Sequence, residues 1–216
     1  MSRNEQYIRQ IATLAAAAIV VSACASSGTR PAQHTPINIE IQESVGFTIT
    51  EEARISNEVR LDYDRATMHL DRGELEQGIE LLESIVDTAP GISAPRVDLG
   101  IAHHHAGNMQ AAEEHLRTAL EANPGHPIAS NELGIIYRKT GRFAEARRSY
   151  EAALAIYPGY HYARRNLAVL CDLYLGDLEC ALRNYEAYMA TVPVDDEVSM
   201  WMKDLQYRMS QAENGR

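Results

Sequence analysis

The 216-residue sequence predicts an all-α fold: a solenoid of about four helix–turn–helix units with a C-terminal capping helix. Three observations carry this. Pro90, Pro124 and Pro158 recur every 34 residues, and Pro193 follows at 35. Gly73, Gly107, Gly141 and Gly176 repeat the same 34, 34, 35. Two columns of small residues run alongside: Ala66, Gly100, Gly134 and Ala168, and Gly78, Ala112, Ala146 and Ala181.

In chain order, the first element is an export segment. Ile11 to Val21, "IATLAAAAIVV", is too short for the ~20 residues a membrane-spanning helix needs. Arg3 and Arg9 precede it and Ser22 and Ala23 follow, the layout of a secretory signal. Val21-Ser22-Ala23-Cys24 resembles the bacterial lipobox. That resemblance implies cleavage after residue 23 and a mature chain starting at a lipidated Cys24, anchored through a palmitate-type chain. Ala25 and Ser26 follow with no Asp, which resembles lipoproteins held in the outer membrane facing the periplasm, the inner membrane being the lesser option. Residues 24–49 are rich in Ser, Thr, Pro and Gly and read as a flexible tether. Ile37, Ile39 and Ile41 alternate with polar residues, a pattern that fits a short strand or a segment docked elsewhere. Helical character is expected from Thr48, where "TITE" matches a capping box.

The array is expected over 50–193, in units of about 59–92, 93–126, 127–160 and 161–194. Small residues at the Ala66 and Gly78 columns let two helices approach closely. The Gly73 column ends the first helix of each unit, where positive φ is favoured. The Pro90 column stops the second helix. Leu82, Leu116, Tyr150 and Tyr185 supply the bulk between pairs.

The fourth unit departs from the period. The Ala168 column keeps 34 while the Gly176 column moves to 35, so one extra residue lies between them. It is expected as a π-bulge or a lengthened turn. After Pro193, Val198, Trp201, Leu205 and Met209 share one helical face, predicting a capping helix over 195–212 with Trp201 as its main apolar anchor.

The order of small, Gly, Ala and Pro positions resembles the tetratricopeptide repeat (TPR) family over about residues 59–193. Asn131 to Pro158, "NELGIIYRKTGRFAEARRSYEAALAIYP", matches best, through Leu133, Gly134, Tyr137, Gly141, Phe143, Ala146, Tyr150, Ala153 and Pro158. The first unit departs at Arg65 and Gly78. The resemblance implies that the first helix of each unit lines a concave, partner-binding groove. The candidate lining is Val97, Ile101, His104 and His105 in the second unit, Ile128, Asn131, Ile135, Arg138 and Lys139 in the third, and Tyr162, Arg165 and Val169 in the fourth. An apolar floor with basic edges suits a peptide with some negative charge. The alternative, that segment 25–50 or the C-terminal helix covers these residues, stays open. The carboxylate-clamp subset is not supported: its places hold Val97, Ile101, Glu132 and Tyr162, with only Asn166 compatible.

Charge and motifs narrow the function classes. Export removes Arg3, Arg9 and Glu5, taking the net charge from −10 to −11 and disfavouring nucleic acid. His103 to His105 point in three directions from a helix and do not converge on one ion, so no metal site is expected. Cys171 and Cys180 flank the fourth turn, and an oxidising compartment favours a bridge over two packed thiols. No nucleophile elbow, phosphate loop or paired carboxylates appear, and no enzyme, cofactor or small-molecule substrate is expected.

The expected function is a membrane-tethered periplasmic adaptor that binds a protein or peptide segment in its groove and serves an envelope complex. Small TPR lipoproteins of this layout resemble assembly factors, including pilotins for type IV pilus secretins, helpers of outer-membrane protein assembly and accessory subunits of TonB-type complexes. The alternative is a docking subunit that regulates an envelope enzyme.

Overall fold

A computed structural model describes residues 37–42, 46–51 and 55–214. The signal segment and Cys24 lie outside the described residues. The chain divides into two compact units, residues 1–125 and 126–216.

Strands within residues 37–51 replace the last part of the expected tether and the expected helix start at Thr48, and residues 24–36 of the tether lie outside the described residues. Strands β1 (Ile37–Gln42) and β2 (Gly46–Glu51) pair as an antiparallel hairpin, Ile37 opposite Glu51 and Gln42 opposite Gly46. The β-branched run Thr48-Ile49-Thr50 suits a strand better than a first helical turn. Glu51 does cap a helix, but a distant one. Its buried carboxylate accepts from the backbone N–H of Ser93 (3.0 and 3.1 Å) and of Ala94 (3.1 Å), and from the Ser93 hydroxyl. These are donors at the start of α3, where a negative charge is favoured. Asn123 donates a longer bond at 3.4 Å. Glu51→Ala is expected to cost about 1–3 kcal/mol, because buried donors lose a charged acceptor. Urea unfolding of the native chain and the variant checks it, with faster proteolysis within 37–51 as the second readout.

In the first unit, α1 (Asn57–Asp71) packs on α2 (Leu75–Thr88), α2 on α3 (Ala94–His105), and α3 on α4 (Met109–Ala122). Ser56 opens α1 by accepting from the Val59 N–H at 3.1 Å. Val59, Ala66, Leu82, Ile85, Val86 and Leu99 form a core cluster. Each large aliphatic among them contributes roughly 1.5–3 kcal/mol by leaving water.

The second unit repeats the plan with α5 (Pro127–Lys139) on α6 (Phe143–Ile156), α6 on α7 (His161–Leu170), and α7 on α8 (Leu178–Thr191). Helix α9 (Asp196–Asn214) packs on α8. Asp195 starts α9 by accepting from the Val198 N–H at 3.0 Å. Trp201 is not its main anchor: Val198 and Leu205 are fully buried, and Trp201 is half-buried beside Tyr185. A branched or short side chain seats fully between helices, whereas the indole is too broad and keeps one edge in solvent.

The columns read from the sequence have distinct structural jobs. Helices α2, α4, α6 and α8 end at Thr88, Ala122, Ile156 and Thr191, each two residues before a proline of the Pro90 column. The intervening residue leaves the helical region, with φ between −142° and −128° and ψ between 65° and 93°, as a residue before proline is pushed away from αR. The turn glycines all have positive φ, from 64° to 84°. In the first three turns the residue after the glycine donates to the carbonyl five residues back: Glu74 to His69, Asn108 to His103 and Arg142 to Tyr137. These are Schellman closures.

The fourth turn is wider by one residue. Asp177 N–H donates six residues back, to the Cys171 carbonyl at 2.9 Å, and Cys171–Leu175 forms a π-turn. The added residue is thus absorbed without disturbing the helices on either side. Asp172 lies within the π-turn, buried, and its carboxylate meets Arg208 of α9 at 2.6 Å. Cys171 and Cys180 are joined by a disulfide, with Cα atoms 5.8 Å apart. Closing so short a loop stabilises by roughly 2–3 kcal/mol in the chain-entropy model. Reduction with a phosphine, or Cys180→Ser, is expected to lower unfolding free energy by that amount in thermal or urea melts.

Candidate partner-binding face

The residues nominated from the sequence fall into two sets, one per unit. In the first unit, α3 places Val97 fully inside, leaves Ile101 and His104 half-buried, and exposes His105. Beside Val97, Asp98 is enclosed enough that burial raises its carboxyl to about 6, although the Tyr63 hydroxyl, donating at 2.6 Å, pulls the other way. Val97 is a core residue rather than a groove residue. The triple histidine does not converge: the rings of His104 and His105 are tilted, 5.7 Å apart. His103 instead stacks on His115 of α4, centroids 5.2 Å apart and planes within 7°. Burial, then the neighbouring His103 and Arg96, lower the His115 pKa. The one set of three close metal-type donors among the described residues is Cys171, Asp177 and Cys180. Its two sulfurs are bonded to each other, and Asp177 is engaged by the Cys180 N–H and by Arg147.

In the second unit, α5 and α7 lie side by side. Ile128 and Asn131 are buried, so they too belong to the interior. Asn131 Oδ1 accepts from Asn166 Nδ2 at 3.0 Å, and its own amide donates to Glu132 at 3.1 Å. Asn131 needed partners once buried, and half-buried Asn166 supplies one across the two helices. Burial raises the Glu132 carboxyl to about 7 against that hydrogen bond and the nearby Lys139.

What remains accessible is a smaller face. Ile135 and Val169, at equivalent positions on α5 and α7, are half-buried, as are Arg138 and Tyr162, and Lys139 is exposed. Burial raises the Tyr162 phenol, with Arg165 opposing. Arg165 is already occupied: it pairs with Glu197 at 2.9 Å and lies 5.1 Å from the centre of the Trp201 ring, both on α9. The capping helix therefore covers the Arg165 end of this face. Arg138 is 5.7 Å from the centre of the Tyr174 ring and donates to its hydroxyl at 3.4 Å. The outcome is an apolar strip edged by Arg138 and Lys139. It suits binding an extended or helical segment and holds no converging nucleophile, base and donor set.

Two contributors escaped the sequence reading. Tyr174 joins this edge because the π-turn carries it next to Phe143, with ring centroids 4.9 Å apart. The Glu51 clasp on α3 was hidden because its one signal, an acid three residues after Thr48, also fits a local cap.

Comparison with known proteins agrees with the repeat architecture. The family model described as Tetratricopeptide repeat matches residues 63–127, 97–161 and 131–173. No curated protein matches the chain. Among solved structures, MamA (41-end) from Desulfovibrio magneticus RS-1 is similar at 20% identity and TM-score 0.65, covering 74% of this chain and 90% of that one. The pilF protein of Pseudomonas aeruginosa is similar at 20% identity and TM-score 0.64, covering 71% and 69%. The first TPR of Spaghetti (RPAP3), bound to the HSP90 peptide SRMEEVD, is similar at 19% identity and TM-score 0.52, covering 55% and 95%. At these identities the likeness is one of fold. With repeat matches running from residue 63 to 173, over half of the sequence, the chain belongs to the tetratricopeptide repeat family.

Proposed function

We propose that the chain is a non-enzymatic, membrane-tethered adaptor of the bacterial envelope that captures a segment of a partner protein on the α5–α7 face. The observation that carries this is the pairing of Ile135 and Val169 on adjacent helices beside Arg138 and Lys139. Two half-exposed aliphatics give an apolar seat, and the two cations favour a partner segment with negative charge. The peptide-bound TPR relative supports the mode of binding by analogy of fold. The lipobox-like Val21-Ser22-Ala23-Cys24 supports the tether, which restricts the search for the partner to a membrane surface.

The test is affinity capture from detergent-solubilised envelopes, quantified against the native chain. Ile135→Asp and Arg138→Glu are each expected to reduce recovery of the dominant partner by about 30-fold or more, the effect of losing a hot-spot contact of ~2 kcal/mol. Their far-UV circular dichroism should match the native chain. Equal recovery by both folded variants would refute the face. Separately, Cys24→Ser is expected to move the protein from the membrane to the soluble fraction, and retention on the membrane would refute the tether.

A further inference from the structure

The tip of the fourth hairpin differs in kind from the other three. The residues just before the turn glycine are Leu70-Asp71-Arg72, His104-His105-Ala106 and Arg138-Lys139-Thr140 in the first three turns. In the fourth they are Leu173-Tyr174-Leu175, exposed at 68%, 42% and 37%. Large apolar side chains scattered singly on a surface need no explanation, whereas a contiguous group marks an interaction site.

This tip is also built to hold its shape. The π-turn ends at Gly176 with φ 64°, and the disulfide ties Cys171 to the first turn of α8. The Asp172–Arg208 pair fastens the same turn to α9. Tyr174 is steadied by Phe143 and Arg138. The carboxylates at the base are engaged, Asp172 by Arg208 and Asp177 by Arg147 and the Cys180 N–H. Arg138 and Lys139 form no ion pair among the described residues. On the α5 side of the tip the charge left is therefore positive, while Glu179 at the start of α8 pairs with Arg183 at 3.9 Å.

We propose that this tip is a second docking surface, which takes an acidic segment of a protein partner carrying apolar side chains. The apolar groups of that segment cover Leu173 and Leu175, and its carboxylate meets Arg138 and Lys139. A rigid Tyr–Arg pair costs little ordering on binding and is typical of protein hot spots. An anionic lipid surface is the other source of negative charge, and the chemistry of the crosslinked adduct separates the two. The surface shares Arg138, Lys139 and Tyr174 with the edge of the α5–α7 face, and Leu173 and Leu175 are its own apolar residues.

The experiment replaces Leu173 with a photo-crosslinking amino acid in the full-length chain in its native cells, then sequences the adduct by mass spectrometry. The expected result is one dominant protein adduct, on a segment with Asp or Glu within a few residues of the crosslinked apolar side chain. Lys139→Glu and Tyr174→Ser should each cut its yield at least tenfold while the thermal midpoint stays within a few degrees. Phospholipid adducts would overturn the proposal in favour of a membrane contact. Adducts on segments lacking acidic residues, yields unchanged by both substitutions, or no adduct would also overturn it. Crosslinking from Ile135 reads the α5–α7 face separately, so failure of one surface is distinguishable from failure of the other.

Discussion

Gly134→Val is expected to destabilise the chain by roughly 3 kcal/mol, the upper part of the range for overpacking a filled core. A Cβ at Gly134 would sit 2.4 Å from Tyr150 Cε1 and 2.5 Å from its Cδ1. Tyr150 is fully buried, so the ring has no solvent to retreat into. Propensity alone gives the opposite sign, since valine is a better helix former than glycine by a few tenths of a kcal/mol. The steric term is several times larger and decides the outcome. Gly134→Ala is expected to lose less, because the equivalent positions of the first and fourth units, Ala66 and Ala168, accommodate alanine. Urea denaturation followed by far-UV circular dichroism checks both. An unchanged midpoint for Gly134→Val would mean that α5 and α6 are not held at the separation described.

The second large effect is pH-dependent and centres on His126. This side chain is fully buried at the start of α5, where Nδ1 accepts from the Ala129 N–H at 3.3 Å. Burial pushes its pKa down to about 4, opposed only by a hydrogen bond to its own backbone. The unfolded chain takes up this proton near pH 6.5, whereas the folded chain does so only near 4. The group's share of stability is therefore intact above about 6.5 and is lost as pH falls through that window. At 1.36 kcal/mol per unit the loss by pH 4 is about 3 kcal/mol. Glu132, in the same unit, runs the other way. Its carboxyl is raised to about 7 by burial, so its protonated form favours the fold at low pH and stability is lost as pH rises through 4.5 to 7. The two trends offset each other in the native chain, and a single substitution separates them. His126→Asn keeps a capping side chain and removes the titration. The stability of His126→Asn relative to the native chain is expected to increase by about 3 kcal/mol between pH 7 and pH 4. A difference that does not change with pH would contradict the buried, neutral imidazole.

The repeat columns were legible because each answers to one local physical requirement. A turn that needs positive φ asks for glycine, a helix stop asks for proline, and close helix contacts ask for Gly or Ala. The one-residue slip between Ala168 and Gly176 was legible for the same reason, and the wider Asp177-to-Cys171 closure is its structural form. The β1–β2 hairpin was half legible. Ile37, Ile39 and Ile41 showed the alternation of one strand, but the second strand was masked by a sequence that also fits a helix cap. Choosing between them required knowing that the start of α3 needs an acceptor, and that is long-range information.

The candidate face was legible in its residue types and not in its exposure. Helical spacing placed Val97, Ile128 and Asn131 with Ile101 and Ile135, yet the first three are buried. A spacing rule fixes direction around one helix but not how deeply neighbouring helices embed it. Helical spacing also puts Arg165 on the face but carries no sign that it is engaged, because its partners Glu197 and Trp201 lie on α9.

The central claim, capture of a partner segment on the α5–α7 face, is tested most directly by in-cell photocrosslinking from position 135 with the native N-terminus intact. The account predicts a single dominant protein adduct that disappears in Arg138→Glu. Scattered adducts, none, or a crosslink to this chain's own residues 25–50 or α9 would contradict it, and would mean that the face is closed by the protein itself.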